Sequence, residues 1–153
     1  MSKAQPASHF ELPPLSLYIH IPWCVRKCPY CDFNSHAAGP QLPEDDYVEA
    51  LLADLQQDLQ HVHGRPLTSI FFGGGTPSLF SANALGRLLD GVEQRINFTT
   101  GIEITLEANP GTFEQAKFRD YRSLGINRLS IGVQSFDAAK LKALGRIHDG
   151  AEA

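Results

Sequence analysis

The chain has 153 residues, 42% hydrophobic and 20% charged, and carries a net charge of −4 at pH 7. That length buries roughly two-thirds of the unfolded surface, enough for one core and one domain. A net negative balance excludes a general nucleic-acid binder, no apolar run approaches the about 20 residues that span a bilayer, and no apolar segment near Met1 reads as a secretion signal, so a reducing cytoplasm is the expected setting.

Residues 1–14 read as a tail. Leu15-Ser-Leu-Tyr-Ile-His-Ile21 is a short strand that runs straight into Pro22 and a loop reaching about Pro43. From Glu44 to Val62, apolar residues at Val48, Leu51, Leu52, Leu55, Leu59 and Val62 follow a 3.6-residue period behind an acidic first turn, which predicts an amphipathic helix. Leu67 to Phe72 is a buried-type strand ending in Gly73-Gly-Gly-Thr-Pro77. A second helix is predicted over Ala82 to Ile96 and a third strand over Ile102 to Ala108, closed by Asn109-Pro-Gly111. Thr112 and Gln115 make a capping-box pattern for a helix through Leu124, with Gly125 as its stop. Arg128 to Val133 is a fourth strand, followed by a short helix from about Asp137 to Leu144.

Strand and helix alternating in this way imply an α/β fold with a parallel sheet and right-handed crossovers. The unusual residues follow the C-terminal ends of four successive strands: the cysteines, the glycine run, Glu107-Ala-Asn-Pro110 and Gln134. A barrel gathers all its strand ends at one mouth, whereas an open doubly wound sheet focuses ligand binding at one switch point. The spread therefore favours a partial barrel over a flavodoxin-like sheet.

All three cysteines lie in Cys24-Val-Arg-Lys-Cys28-Pro-Tyr-Cys31. Three thiolates on a four-iron, four-sulfur (4Fe–4S) cluster leave one iron open to a further ligand, and close cysteine spacing suits such a cluster. Pro22 and Pro29 break helical bonding around the run and make it a loop. Zinc is the competing reading, with His20 or His36 completing a Cys3His set. Inert core thiols fit poorly beside Arg26 and Lys27. The glycine run lacks the lysine of a triphosphate loop and the spacing of a dinucleotide loop, but permits close approach of backbone to a ligand.

Four motifs in order, Tyr18-Ile-His-Ile-Pro-Trp-Cys24 with its cysteine spacing, Gly73 to Pro77, Glu107 to Pro110 and Asn127 to Phe136, resemble the radical S-adenosylmethionine superfamily, in the branch of oxygen-independent coproporphyrinogen III oxidases and their heme-chaperone relatives. The resemblance implies that Cys24, Cys28 and Cys31 hold a 4Fe–4S cluster whose open iron takes S-adenosylmethionine, which is cleaved to a 5′-deoxyadenosyl radical. It places Tyr18, Gly74, Gly75, Thr76, Glu107, Gln134 and Arg146 around that cofactor. The oxidases have a further cysteine two residues after the last cluster ligand, where this sequence has Phe33. That difference points to a chaperone that binds heme and passes it to acceptor proteins, drawing electrons from a flavodoxin or ferredoxin. The alternatives are a porphyrinogen oxidase and a zinc-stabilised or metal-free fragment. Family members continue through further βα units, so residues 15–153 are expected to be the N-terminal part of the core domain, with weak binding of S-adenosylmethionine.

Overall fold

A computed structural model describes residues 11–151, apart from the side chains of residues 112–116. Strand β1 (Leu15–Ile21) alternates, with Ile19 and Ile21 in the core and Ser16 and Tyr18 exposed on the opposite face. It pairs in parallel with β4 (Leu67–Gly74), β4 with β5 (Phe98–Ala108), and β5 with β6 (Arg128–Ile131). Spatial order therefore follows chain order, with no reversal. Helix α1 (Glu44–Asp58) joins β1 to β4, α2 (Ala82–Glu93) joins β4 to β5, α3 (Thr112–Ser123) joins β5 to β6, and α4 (Ala138–Ala143) follows β6.

Right-handed crossovers between successive neighbours put the connecting helices on one face of the sheet, which is the layout of a partial (β/α) barrel. Register makes the core: Ile19, Phe72 and Leu106 align across the strands, and so do Leu17, Ile70 and Ile104. Against these rows pack Val48 of α1, Leu85, Leu88 and Val92 of α2, and Tyr121 of α3. The opposite face carries Tyr18, Phe71 and Thr105 in one row and His20 beside Gly73 in the next. No helix among the described residues is long and apolar enough to cross a membrane.

Several boundaries differ from the sequence expectation. Helix α1 stops at Asp58 and tightens into a 3-10 turn over Leu59–His61. The apolar stripe persists, since Leu59 and Val62 still pack on the core, but the chain must turn into β4 through His63 and Gly64, both at positive φ. Helix α2 ends at Glu93, and Ile96 stays buried beyond it. Strand β4 runs on through Gly73 and Gly74, which pair with His20 and Ile21. Strand β5 begins at Phe98, made possible by a register irregularity against β4 and by Gly101 at φ 76°. Gly111 caps α3, which makes Thr112 the first helical residue where the capping-box reading had it as the cap; its side chain lies outside the described residues. Within the cysteine loop, β2 (Trp23–Cys24) and β3 (His36–Ala37) form a two-residue parallel pair where irregular chain was expected.

Candidate functional site

The cysteine loop is built by closing its own base. The His36 N–H donates to the Pro22 carbonyl and the Ala38 N–H to the Cys24 carbonyl, both at 2.7 Å. Lys27 Nζ reaches across the loop to the carbonyls of Phe33 and Ser35, at 3.4 and 3.2 Å. Cys24 is buried, Cys28 and Cys31 are half-buried, and all three thiols are free. Ser35, itself buried, brings Oγ to 4.0 Å from Cys31 Sγ.

The glycine run is bolted to that loop. The Gly75 N–H donates to Ile21 O at 2.8 Å and the Thr76 N–H to Trp23 O at 2.7 Å. A Cβ on Gly75 would stand 2.7 Å from Trp23 O and 2.9 Å from the Pro22 carbonyl carbon, so only glycine lets the two segments meet. Gly74 takes φ 117°, which aims its N–H at Glu107 Oε2, 3.1 Å away.

Burial raises the Glu107 carboxyl above its ordinary range, with the Gly74 N–H and the nearby His20 opposing that shift. Across the mouth, Arg146 donates through Nη2 to Asn109 Oδ1 and to the Gly132 carbonyl, and turns Nη1 toward Cys28 Sγ at 3.6 Å. Its Nε is buried with no hydrogen-bond partner. Gln134 sits at φ 67°, unusual for a residue with a side chain and typical of strain held at a functional site.

These groups share one cleft of about 180 Å³, open to solvent. Its lining brings together Cys24, Cys28, Cys31, Gly74, Gly75, Thr76, Glu107, Gln134 and Arg146, nine of the ten residues singled out in the sequence. Tyr18, the tenth, is not on the lining; its ring stacks on Phe71 at 6.2 Å and its hydroxyl bonds His20 Nδ1 at 2.9 Å. Burial, and then the Glu107 charge, hold the Tyr18 phenol above its ordinary range. Tyr30, Asn109, Ser130 and Gly132 also line the cleft. Sequence reading assigned them no role of their own, although Asn109, Ser130 and Gly132 lie within the motifs quoted above; Asn109 before Pro110 read only as the close of a strand. A second recess, of about 90 Å³ between β1, α1 and α2, is a packing seam of Leu17, Ile19, Leu55 and Leu88.

The zinc reading loses one of its two fourth ligands, because both ring nitrogens of His20 are engaged, Nδ1 with Tyr18 and Nε2 with Asn34 O at 2.8 Å. His36 is exposed on β3, and among the described residues no three His, Cys, Asp or Glu side chains gather closely enough to hold a single ion. The donor set suits a larger group: three free thiols on one loop, an unpartnered arginine nitrogen for a carboxylate, and a carboxylate for an amine.

A cleft at the C-terminal mouth of a partial parallel barrel, walled by three thiols and a glycine turn, is the arrangement of a radical S-adenosylmethionine protein. The family model described as the Radical SAM superfamily matches residues 18–153, and the chain belongs to that superfamily. It is 61% identical over 143 residues to the heme chaperone HemW of Escherichia coli (strain K12), which covers 94% of this chain and 38% of that protein. It is 60% identical over 147 residues to the heme chaperone HemW of Haemophilus influenzae, with the same coverage. The mitochondrial radical S-adenosyl methionine domain-containing protein 1 of Danio rerio is 39% identical over 133 residues, 87% of this chain and 30% of its own. Among solved structures, the coproporphyrinogen III oxidase HemN of Escherichia coli, a radical SAM enzyme, superposes with a TM-score of 0.82 at 32% identity, over 91% of this chain and 32% of that one. The chain thus spans little more than a third of the length of the HemW proteins it matches.

Proposed function

We propose that residues 15–153 are the N-terminal part of the core domain of a heme chaperone, the part that holds a 4Fe–4S cluster and S-adenosylmethionine. The single observation that carries this reading is the 61% identity to a heme chaperone, running through a chain whose cysteine loop and glycine turn face one cleft. Cys24, Cys28 and Cys31 are the proposed cluster ligands. A cluster held there would supply one-electron reduction of the S-adenosylmethionine sulfonium, with a flavodoxin or ferredoxin as the proposed electron donor.

The chain's own groups bind and orient. Glu107 gives one oxygen to the Gly74 N–H, leaving the other to accept from the cofactor's amine. The unpartnered Nε of Arg146 is the donor for its carboxylate. Gly74, Gly75 and Thr76 let backbone approach the methionine end, Gln134 lines the same cleft, and Tyr18 adds its ring from the neighbouring row. Tyr30 and Phe33 supply an aromatic wall to the cleft. Heme is the proposed cargo of the whole protein, delivered to acceptor proteins in the cytoplasm.

Porphyrinogen oxidation is the second reading, favoured by the fold match to HemN. It is weaker because Phe33 stands where the oxidase branch has its extra cysteine, and because identity to HemN is 32% against 61% to HemW. Anaerobic reconstitution with iron and sulfide tests the common core of both: about four irons per chain are expected, with a paramagnetic resonance spectrum of the reduced sample that changes on adding S-adenosylmethionine. One tightly held zinc and no cluster would overturn it. Heme binding without porphyrinogen decarboxylation by the whole protein then separates chaperone from oxidase.

A further inference from the structure

The amide of Asn109 joins three strand ends to the cysteine loop. Its Oδ1 accepts from Arg146 Nη2 at 2.7 Å, and its Nδ2 donates to Thr76 Oγ1 at 3.1 Å. Thr76 is 4% exposed and is itself fixed by its N–H on Trp23 O. Arg146 gains a second hold from the Gly132 carbonyl at 2.6 Å, beyond the end of β6, and its Nη1 then lies 3.6 Å from Cys28 Sγ. An amide suits this junction because it accepts from a cation with one atom and donates to a hydroxyl with the other. Without Asn109, the guanidinium would keep the Gly132 carbonyl, the long contact to Cys28 Sγ and the neighbouring Tyr30, and would lose the side-chain acceptor that ties it to Thr76 and the glycine turn.

We propose that Asn109 is a positioning residue that locks the Arg146 guanidinium against Cys28 Sγ, so that a fixed positive charge and a hydrogen bond raise the reduction potential of a cluster held by that sulfur. The redox consequence rests on the cluster reading above; the clamp itself does not. Adding one electron makes the cluster and its thiolates more negative, and a cation held at one sulfur in half-buried surroundings stabilises that reduced form. Groups that touch no cofactor tune a cluster in this way through the ligands they orient.

A double-mutant cycle tests it: Asn109→Ala, Arg146→Gln and the pair, in the anaerobically reconstituted chain, with potentials from a mediated redox titration. Each single substitution is expected to lower the potential, and the pair no further than Arg146→Gln alone, because Asn109 acts through Arg146. Additive shifts, or an Asn109→Ala potential equal to that of the parent, overturn the proposal. Nitrogen-15 magnetic resonance of the Arg146 guanidinium in the cluster-free chain gives a second readout. Separate Nη resonances, the mark of restricted rotation, are expected in the parent and are expected to average together in Asn109→Ala. Thr76→Val, which frees the other end of Asn109 without touching Arg146, is expected to loosen the guanidinium in the same direction. Arg146 resonances unchanged in Asn109→Ala overturn the clamp whether or not a cluster assembles. The expected resonance pattern in a chain that takes up no iron supports the clamp and sinks the cluster reading alone.

Discussion

Glu107 is placed where binding and stability conflict. Its carboxyl is drawn into the cleft beside the Gly74 N–H, and the cost of desolvation exceeds what that bond and His20 return, so its pKa in the folded chain lies above the ordinary 4.5. A carboxyl raised on folding favours the native state when protonated; that contribution is full below the unfolded value and is lost as pH rises through the folded one. Glu107→Gln is therefore expected to raise the melting temperature near neutral pH, with the gain vanishing below about pH 4.5, and to weaken S-adenosylmethionine binding. An equal gain at both extremes would show that the charge is not its source. Gly75 carries a different constraint, because an added methyl meets backbone, Trp23 O and the Pro22 carbonyl carbon, which cannot swing aside. Gly75→Ala is expected to cost about 1–3 kcal/mol in urea unfolding and to reduce iron uptake by displacing the cysteine loop. At Gly91 the added methyl meets only the tip of the Leu52 side chain, so Gly91→Ala is expected to be milder.

At the scale of elements, α1 and α2 are joined at their N-terminal ends by one serine. Ser81 caps α2 by accepting from the Ala84 N–H at 3.1 Å, and gives its own N–H and hydroxyl to the two oxygens of Glu44, at 2.7 and 2.6 Å. Glu44 opens α1, so its charge also lies at that helix's positive end. Ser81→Ala is expected to destabilise the chain by about 1–2 kcal/mol, read as a lower urea midpoint at unchanged slope. The apolar spacing placed a helix from Ala82 without naming its cap, and the carboxylate that completes the cap comes from a helix 37 positions away and is visible only after folding.

At the scale of the whole molecule, the sheet has two unlike edges. Strand β6 pairs with β5 and, among the described residues, with nothing on its other side, and all four of its residues are exposed, Leu129 and Ile131 among them. Phe136 and Ile147 add exposed apolar surface nearby in the chain. An open edge with apolar side chains templates pairing with another chain. Concentration-dependent association is therefore expected in light scattering, and Ile131→Lys is expected to suppress it while leaving the far-ultraviolet circular dichroism unchanged. Association unaffected by that substitution would place the contact elsewhere.

Much of this was written locally. The 3.6-residue stripe of α1, the apolar runs of β1 and β4 and the glycine stop after α3 depend on neighbours in sequence, so those elements were legible, and three cysteines within eight residues marked the loop as the candidate cluster site without any tertiary information. Strand order and the bending of Arg146 back onto Cys28 were not legible, because each joins residues far apart in the chain: 118 positions separate that arginine from that sulfur. The sequence determined which chemical groups the molecule carries and at which strand ends they stand. Only the tertiary structure decided which of them face one another, since hydrogen bonds such as Asn109 to Thr76 and Arg146 form between strand ends that the parallel sheet alone brings side by side.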